Sequence, residues 1–181
     1  YNVVPNLLQF IEELTNTYIR FNRRHFWQEG MPEDKRFAYE TLWYVLSELS
    51  KVMAPFTPFL AEAIYENLKA VSQSPKESVH LEVFPKSNAD QIVPELENAV
   101  ARMEQLVLLG RNLREKLKIR AKIPLNSLRV IHRDQSALDE LKKLESYFTD
   151  ELNVKEVIYD SHEDQHVHIT CKANFKTLGK R

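Results

Sequence analysis

Apolar positions first recur at helical spacing. Leu7, Ile11, Leu14, Tyr18 and Phe21 follow at steps of three and four, which places them on one stripe of a helix. Pro5 suits a first turn, and Gly30, Met31 and Pro32 break the pattern, so a helix is expected over 5–27. A second is expected from about Glu33 to Met53, with Ala38, Leu42, Val45, Leu49 and Val52 as its seam. Pro55 ends it, because proline disfavours the helical state of the residue before it. Thr57 and Pro58 read as the N-cap and first position of a third helix carrying Leu60, Ile64, Leu68 and Val71. Ser72 to Pro75 is expected to link, and Val79 to Phe84 to be extended. A long fourth helix follows over Pro94 to Arg120, with a wide apolar face that includes Met103, Val107, Gly110 and Leu117.

At Pro124 the period changes. Leu125–Ile131 and Val154–Tyr159 are short and rich in β-branched residues, and His166–Cys171 alternates. Between the first two, Leu138, Leu141, Leu144 and Phe148 mark a helix over about 135–152. The expected fold is mainly α: an antiparallel helical bundle over 1–123, followed by a small α/β subdomain over 124–181 in the order β-α-β-β.

Composition narrows the function. Among 181 residues there is one cysteine, Cys171, so no intrachain disulfide can form and a reducing compartment, the cytoplasm, is expected. Three glycines cannot supply a dinucleotide-binding GxGxxG or a phosphate-binding GxxxxGK[ST] loop. No apolar run approaches the roughly 18 residues of a membrane span, so a soluble protein without a membrane partner is expected. Tyr1 is not an initiator and nothing resembles a signal peptide; the chain reads as a piece of something longer.

The near-neutral balance of 25 Lys+Arg against 26 Asp+Glu conceals an asymmetry. Arg102 to Lys122 holds seven basic and two acidic residues, whereas Asp139 to Asp164 holds nine acidic and three basic. On a continuous helix Arg111, Arg114, Lys118 and Lys122 fall within an arc of about 80°, the strip that tracking a phosphate backbone requires. A solvated helix end would look the same. The sharper feature is Arg20-Phe21-Asn22-Arg23-Arg24-His25-Phe26-Trp27. Arg20 and Arg24 share one face, Arg23 and Trp27 the next. Guanidinium forks grip phosphates, and His25, Phe26 and Trp27 offer flat surfaces to unstacked bases. Large rings equally serve as core, and of these Trp27 is the strongest candidate for that role.

His162, His166, His168 and Cys171 lack the paired cysteine spacings of a zinc site, and no metal is expected. No GxSxG, HExxH or paired-carboxylate constellation stands out, so no catalytic residue is assigned. Residues alone leave two readings: an RNA-binding module, or a helical protein-interaction module.

Several segments resemble the C-terminal region of isoleucyl-tRNA synthetases, a class I aminoacyl-tRNA synthetase family. Arg20 to Trp27 resembles the end of the first helix of that family's anticodon-binding bundle. Ala54-Pro-Phe-Thr-Pro-Phe-Leu-Ala-Glu-Ala-Ile-Tyr65 is similar to its joint between helices two and three, with Tyr65 where Trp is common. Ser78-Val-His-Leu81 with Phe84-Pro85, Arg111-Asn-Leu-Arg114 leading to Ile123-Pro124-Leu125, and Asn174 to Arg181 complete the likeness. Valyl-tRNA synthetases share the bundle and stay as an alternative. The resemblance implies a parent that joins isoleucine to its tRNA using ATP and Mg, with catalytic and editing domains elsewhere in the same chain. It implies that this part, as a monomer, holds the anticodon stem-loop of tRNA-Ile through Arg20, Arg23, Arg24, His25, Phe26, Trp27, Arg111, Arg114, Lys118 and Lys122. Neither of the family's nucleotide signatures, HIGH and KMSKS, occurs. The purified chain is therefore expected to show no isoleucine-dependent ATP–pyrophosphate exchange; measurable exchange would overturn the assignment of chemistry to another part.

Overall fold

The computed structural model describes residues 3–166. It is mainly α with a small α/β part, as expected, and its contacts divide the chain into two units, Tyr1–Ile92 and Val93–Arg181. The boundary thus falls some thirty residues before the expected one at Pro124. The reason is the long helix, whose contacts group it with the second unit.

In the first unit, helix α1 (Val3–Glu13) runs into a π-helical segment, Leu14–Ile19, and after a turn at Asn22 continues as α2 (Arg23–Trp27). Helix α3 (Glu33–Met53) carries Glu33 and Asp34 in its first turn, where carboxylates complement the helix dipole. Helix α4 (Pro58–Leu68) begins with proline at its first position and tightens into a 3-10 turn over Lys69–Val71. The core gathers Leu14, Leu49, Met53, Ala54, Ala61, Tyr65 and Val79, with Leu7, Ile11, Tyr18 and Ile19 packed against it. Segment 79–84, expected to be extended, instead opens with a 3-10 turn over Val79–Leu81. The Glu62 carboxylate accepts from Ser78 Oγ at 2.8 Å and Val79 N–H at 2.9 Å. These donors hold it below the usual carboxylate range, the Ser78 hydrogen bond first.

The second unit is built on α5 (Pro94–Lys116), whose buried face is Ala99, Met103, Val107, Gly110 and Arg114. The expected single helix over 135–152 is two: α6 (Gln135–Lys142) and α7 (Glu145–Leu152). Asp134 caps α6 through Ser136 N–H at 2.9 Å. Strands β1 (Leu125–Ile131) and β2 (Val154–Asp160) pair in parallel, with Leu125 opposite Val154 and Ile131 opposite Asp160. The expected third strand and the segment from Asn174 to Arg181 lie outside the described residues. Leu138 and Phe148 are fully buried, each worth about 1.5–3 kcal/mol of transfer free energy. A Cβ at Gly110 would stand 2.7 Å from Leu152 Cδ1, so glycine permits the close approach of α5 to α7. Helix α5 ends earlier than expected, in a Schellman motif. Ile119 N–H donates to Arg114 O at 2.8 Å and Lys118 N–H to Glu115 O at 2.9 Å. Lys118 takes the left-handed conformation, φ 54°, that glycine usually fills.

Arg114 joins these pieces. It is 6% exposed, and its guanidinium donates to Arg120 O (3.1 Å), Ile123 O (3.0 Å), Leu152 O (2.6 Å) and Asn153 O (3.1 Å). Charge-assisted hydrogen bonds are worth more than neutral ones, and a buried acceptor left alone costs its desolvation. Arg114→Met is therefore expected to destabilise the second unit by about 3 kcal/mol or more. Hydrogen exchange at the β1–β2 amides would then accelerate by a factor on the order of 100. Unchanged protection there would show that the guanidinium does not hold the strands.

Candidate nucleic-acid interface

The proposed cationic strip on α5 does not form. With α5 ending at Lys116, Lys118 and Lys122 no longer share a helical face with Arg111 and Arg114. Arg114 is buried among carbonyls, and Arg111 is half-buried in an ion pair with Glu151. Arg102 likewise pairs with Glu140. The basic helix and the acidic stretch after it thus answer each other within one unit. Lys116, Lys118, Arg120 and Lys122 remain exposed in and beyond the last turn.

The motif from Arg20 to Trp27 fares differently. Helix α2 is short, and Arg23, Phe26 and Trp27 stand at i, i+3 and i+4, on one side of it. Together with Thr15, Asn16, Ile19, Arg20 and the α3 residues Tyr39 and Leu42, they line a concavity of about 570 Å³. Arg24 and His25 lie outside that lining. The expected roles of the rings are reversed. Trp27, the strongest candidate for core, is 84% exposed. Phe26 is half-buried and meets Tyr18 and Tyr39 edge-on, with ring centroids 6.3 Å and 5.2 Å apart. The Tyr18 hydroxyl in turn donates to Ala38 O at 3.1 Å, tying the helix end to α3. Phe26 therefore forms the floor, and Trp27 a wall open to solvent.

Asn16 and Tyr39 were not singled out from sequence. The available signal was Thr15-Asn16-Thr17, three weak helix formers in mid-helix, where the backbone adopts the π form. An i→i+5 hydrogen-bonding pattern sets aside the ordinary helical register. Tyr18 and Ile19 consequently both reach the core, whereas the expected stripe had Tyr18 followed by Phe21. Thr15 Oγ1 donates to Ile11 O at 2.9 Å and Glu12 O at 3.1 Å. The Asn16 carboxamide has no hydrogen-bond partner and Arg23 no carboxylate partner among the described residues. Such a site has cationic forks, a free amide and an open indole, the equipment for a single-stranded nucleic acid.

The histidines organise around a carboxylate. His162 Nδ1 lies 3.0 Å and His166 Nε2 2.9 Å from the Asp160 carboxylate. His162 backbone N–H, then His166 and His162 side chains, hold Asp160 well below the usual range. Among the described residues no three His, Cys, Asp or Glu converge as metal ligands; His168 and Cys171 fall outside those residues. No helix among the described residues is long and apolar enough to cross a membrane.

Residues 1–131 match the family described as the anticodon-binding domain of tRNA ligase. Over its whole length the chain is 60% identical to an isoleucine–tRNA ligase of Bdellovibrio bacteriovorus, of which it covers 17%. It is 41% identical to the cytoplasmic isoleucine–tRNA ligase of Saccharomyces cerevisiae and 39% identical to that of Mus musculus, again over the whole chain, covering 18% and 15% of those proteins. The chain thus spans less than a fifth of the length of these relatives. With more than two-thirds of its residues inside the family match, the chain belongs to the anticodon-binding domain family of tRNA ligases.

Proposed function

We propose that the face bearing Arg20, Arg23 and Trp27 receives the anticodon loop of tRNA-Ile. The chain would thereby position that tRNA for ATP-dependent aminoacylation by another part of a longer, cytoplasmic isoleucine–tRNA ligase. The observation that carries this reading is an indole 84% exposed beside two arginines on one concave surface, in a chain of the anticodon-binding family. The names of the relatives support isoleucine over valine. In this reading ATP and Mg belong to the catalytic part, where they activate the amino acid, and no residue of this chain is assigned to them. The other partners are the catalytic and editing domains of the same longer chain, and this part is by itself a monomer.

Roles follow from placement. Arg20 and Arg23 meet phosphates at the edge of the concavity, and Trp27 stacks on an unpaired base. Arg24 and His25, on the remaining surface of α2, meet flanking backbone. Phe26 supports the site from below through Tyr18 and Tyr39. Lys118 and Lys122, with Lys116 and Arg120, offer the second unit an exposed basic loop for phosphates. Arg111 and Arg114 serve the fold and drop out of the interface.

A titration of the chain with anticodon stem-loops of isoleucine and valine tRNAs at two salt concentrations tests this. Arg23→Gln is expected to weaken both complexes alike and to lower the salt slope by about 0.7 if one single-strand phosphate contact is lost. Trp27→Ala is expected to cost about 1–3 kcal/mol with the slope unchanged. Both side chains are exposed, so circular dichroism should show the fold intact. If neither change alters affinity, the reading fails and this face serves a protein partner instead.

A further inference from the structure

We infer that Arg114 and Asn153, which touch no RNA themselves, are positioning residues that hold the basic loop 117–123 in one shape to receive phosphates of an RNA backbone. This rests on the RNA-binding reading above and gives the second unit a defined part in it.

The loop contains no helix or strand, yet its backbone is tied at nearly every step. At its start Ile119 N–H donates to Arg114 O at 2.8 Å. The Arg114 guanidinium then takes two of the loop's carbonyls, Arg120 O at 3.1 Å and Ile123 O at 3.0 Å. Between them Asn153 Nδ2 donates to Ala121 O at 3.2 Å, and Ile123 N–H closes a turn on Arg120 O at 3.0 Å. The same guanidinium holds Leu152 O and Asn153 O, so the loop is anchored to the end of α7 as well as to itself. Only a planar fork spans carbonyls on both sides; the point charge of a lysine does not. Asn153 stands at φ 50°, a left-handed conformation that asparagine and glycine tolerate, and from there its carboxamide reaches the loop.

The side chains show the opposite condition. Lys116, Lys118, Arg120 and Lys122 are exposed, and none has an acidic partner among the described residues. Arg102 and Arg111 of the same unit, by contrast, are engaged by Glu140 and Glu151. A fixed backbone carrying free cations is what preorganised binding requires, because the ordering cost then falls on folding rather than on association. A loose loop with the same four charges would attract the same polyanion but would lose its freedom on binding it. Cations of this kind displace counterions from phosphates and carry no base identity. The loop therefore contributes strength and register to the complex.

The test measures binding of an anticodon stem-loop by the whole chain over a series of salt concentrations. Joint replacement Lys118→Gln and Lys122→Gln is expected to lower the salt slope by about 1.4, for two single-strand phosphate contacts. Asn153→Gly keeps the left-handed backbone and removes only the carboxamide. In that variant the β1–β2 amides should stay protected while the Ile123 amide exchanges about fivefold faster. Its affinity is expected to fall about fivefold with the salt slope unchanged, since every cation is still there to be contacted. Arg114→Lys retains the charge without the fork and is expected to show the same split with a larger loss; Asn153→Gly carries the test should that variant not fold. In Asn153→Gly, an Ile123 amide as slow as before, a loosened loop with unchanged affinity, or a loss of affinity with a lowered slope would overturn the positioning role. An unchanged slope in the lysine variant would overturn it too, leaving the α2 face as the RNA site. Absence of salt-sensitive binding by the unaltered chain would overturn the RNA-binding reading itself and this inference with it.

Discussion

A guanidinium removed from water needs acceptors in place of solvent, and Arg114 finds them in the backbone alone, at its two terminal nitrogens. Its buried Nε has no partner among the described residues. Its two terminal nitrogens reach four carbonyl oxygens, from Arg120, Ile123, Leu152 and Asn153. Two belong to the end of α7, where unsatisfied carbonyls and the negative end of the helix dipole favour a cation. Two belong to the passage from α5 to β1. One side chain thus fixes the end of a helix and the approach to both strands. Asn153, left-handed at φ 50°, returns its carbonyl to Leu125 N–H at 2.9 Å, which sets the first rung of the parallel pair.

That constraint has a functional consequence. Cations that the sequence places near one another divide into those held by the fold and those left to solvent. Arg102, Arg111 and Arg114 are engaged by carboxylates or carbonyls of the second unit. Arg23 stands exposed beside an open indole in the first. Net charge along the chain could not make this division, because it depends on which side of α5 is buried and where that helix stops.

Elements anchored by proline and by apolar period were legible in the sequence. Pro58 and Pro94 stand at the first turns of α4 and α5, and both described strands lie where β-branched residues cluster. What escaped depends on tertiary context. Lys118 ends α5 in a conformation that its side chain does not advertise. Leu144, between α6 and α7, is an apolar residue that fits a continuous helical stripe, yet the helix breaks there. Phe26 and Trp27 are adjacent rings of similar burial tendency, and only the edge-on contact with Tyr39 decides that the phenyl ring turns inward. Asn16 stands four residues before Arg20 and seven before Arg23, a helical spacing that could have joined it to the site, but a lone Asn beside a run of arginines and rings carries little signal of its own.

The central claim is that RNA is met by the α2 face of the first unit, with an exposed indole at its centre. The chain has two tryptophans, which makes the comparison direct. Trp43 donates its indole Nε1–H to Leu68 O at 3.2 Å, whereas Trp27 projects into solvent. Nitrogen-edited NMR spectra of the two indole groups, recorded as an anticodon stem-loop is added, report on each separately. The account requires the Trp27 resonance to shift and saturate with the RNA while that of Trp43 stays in place. A bound stem-loop that leaves Trp27 unmoved would contradict it.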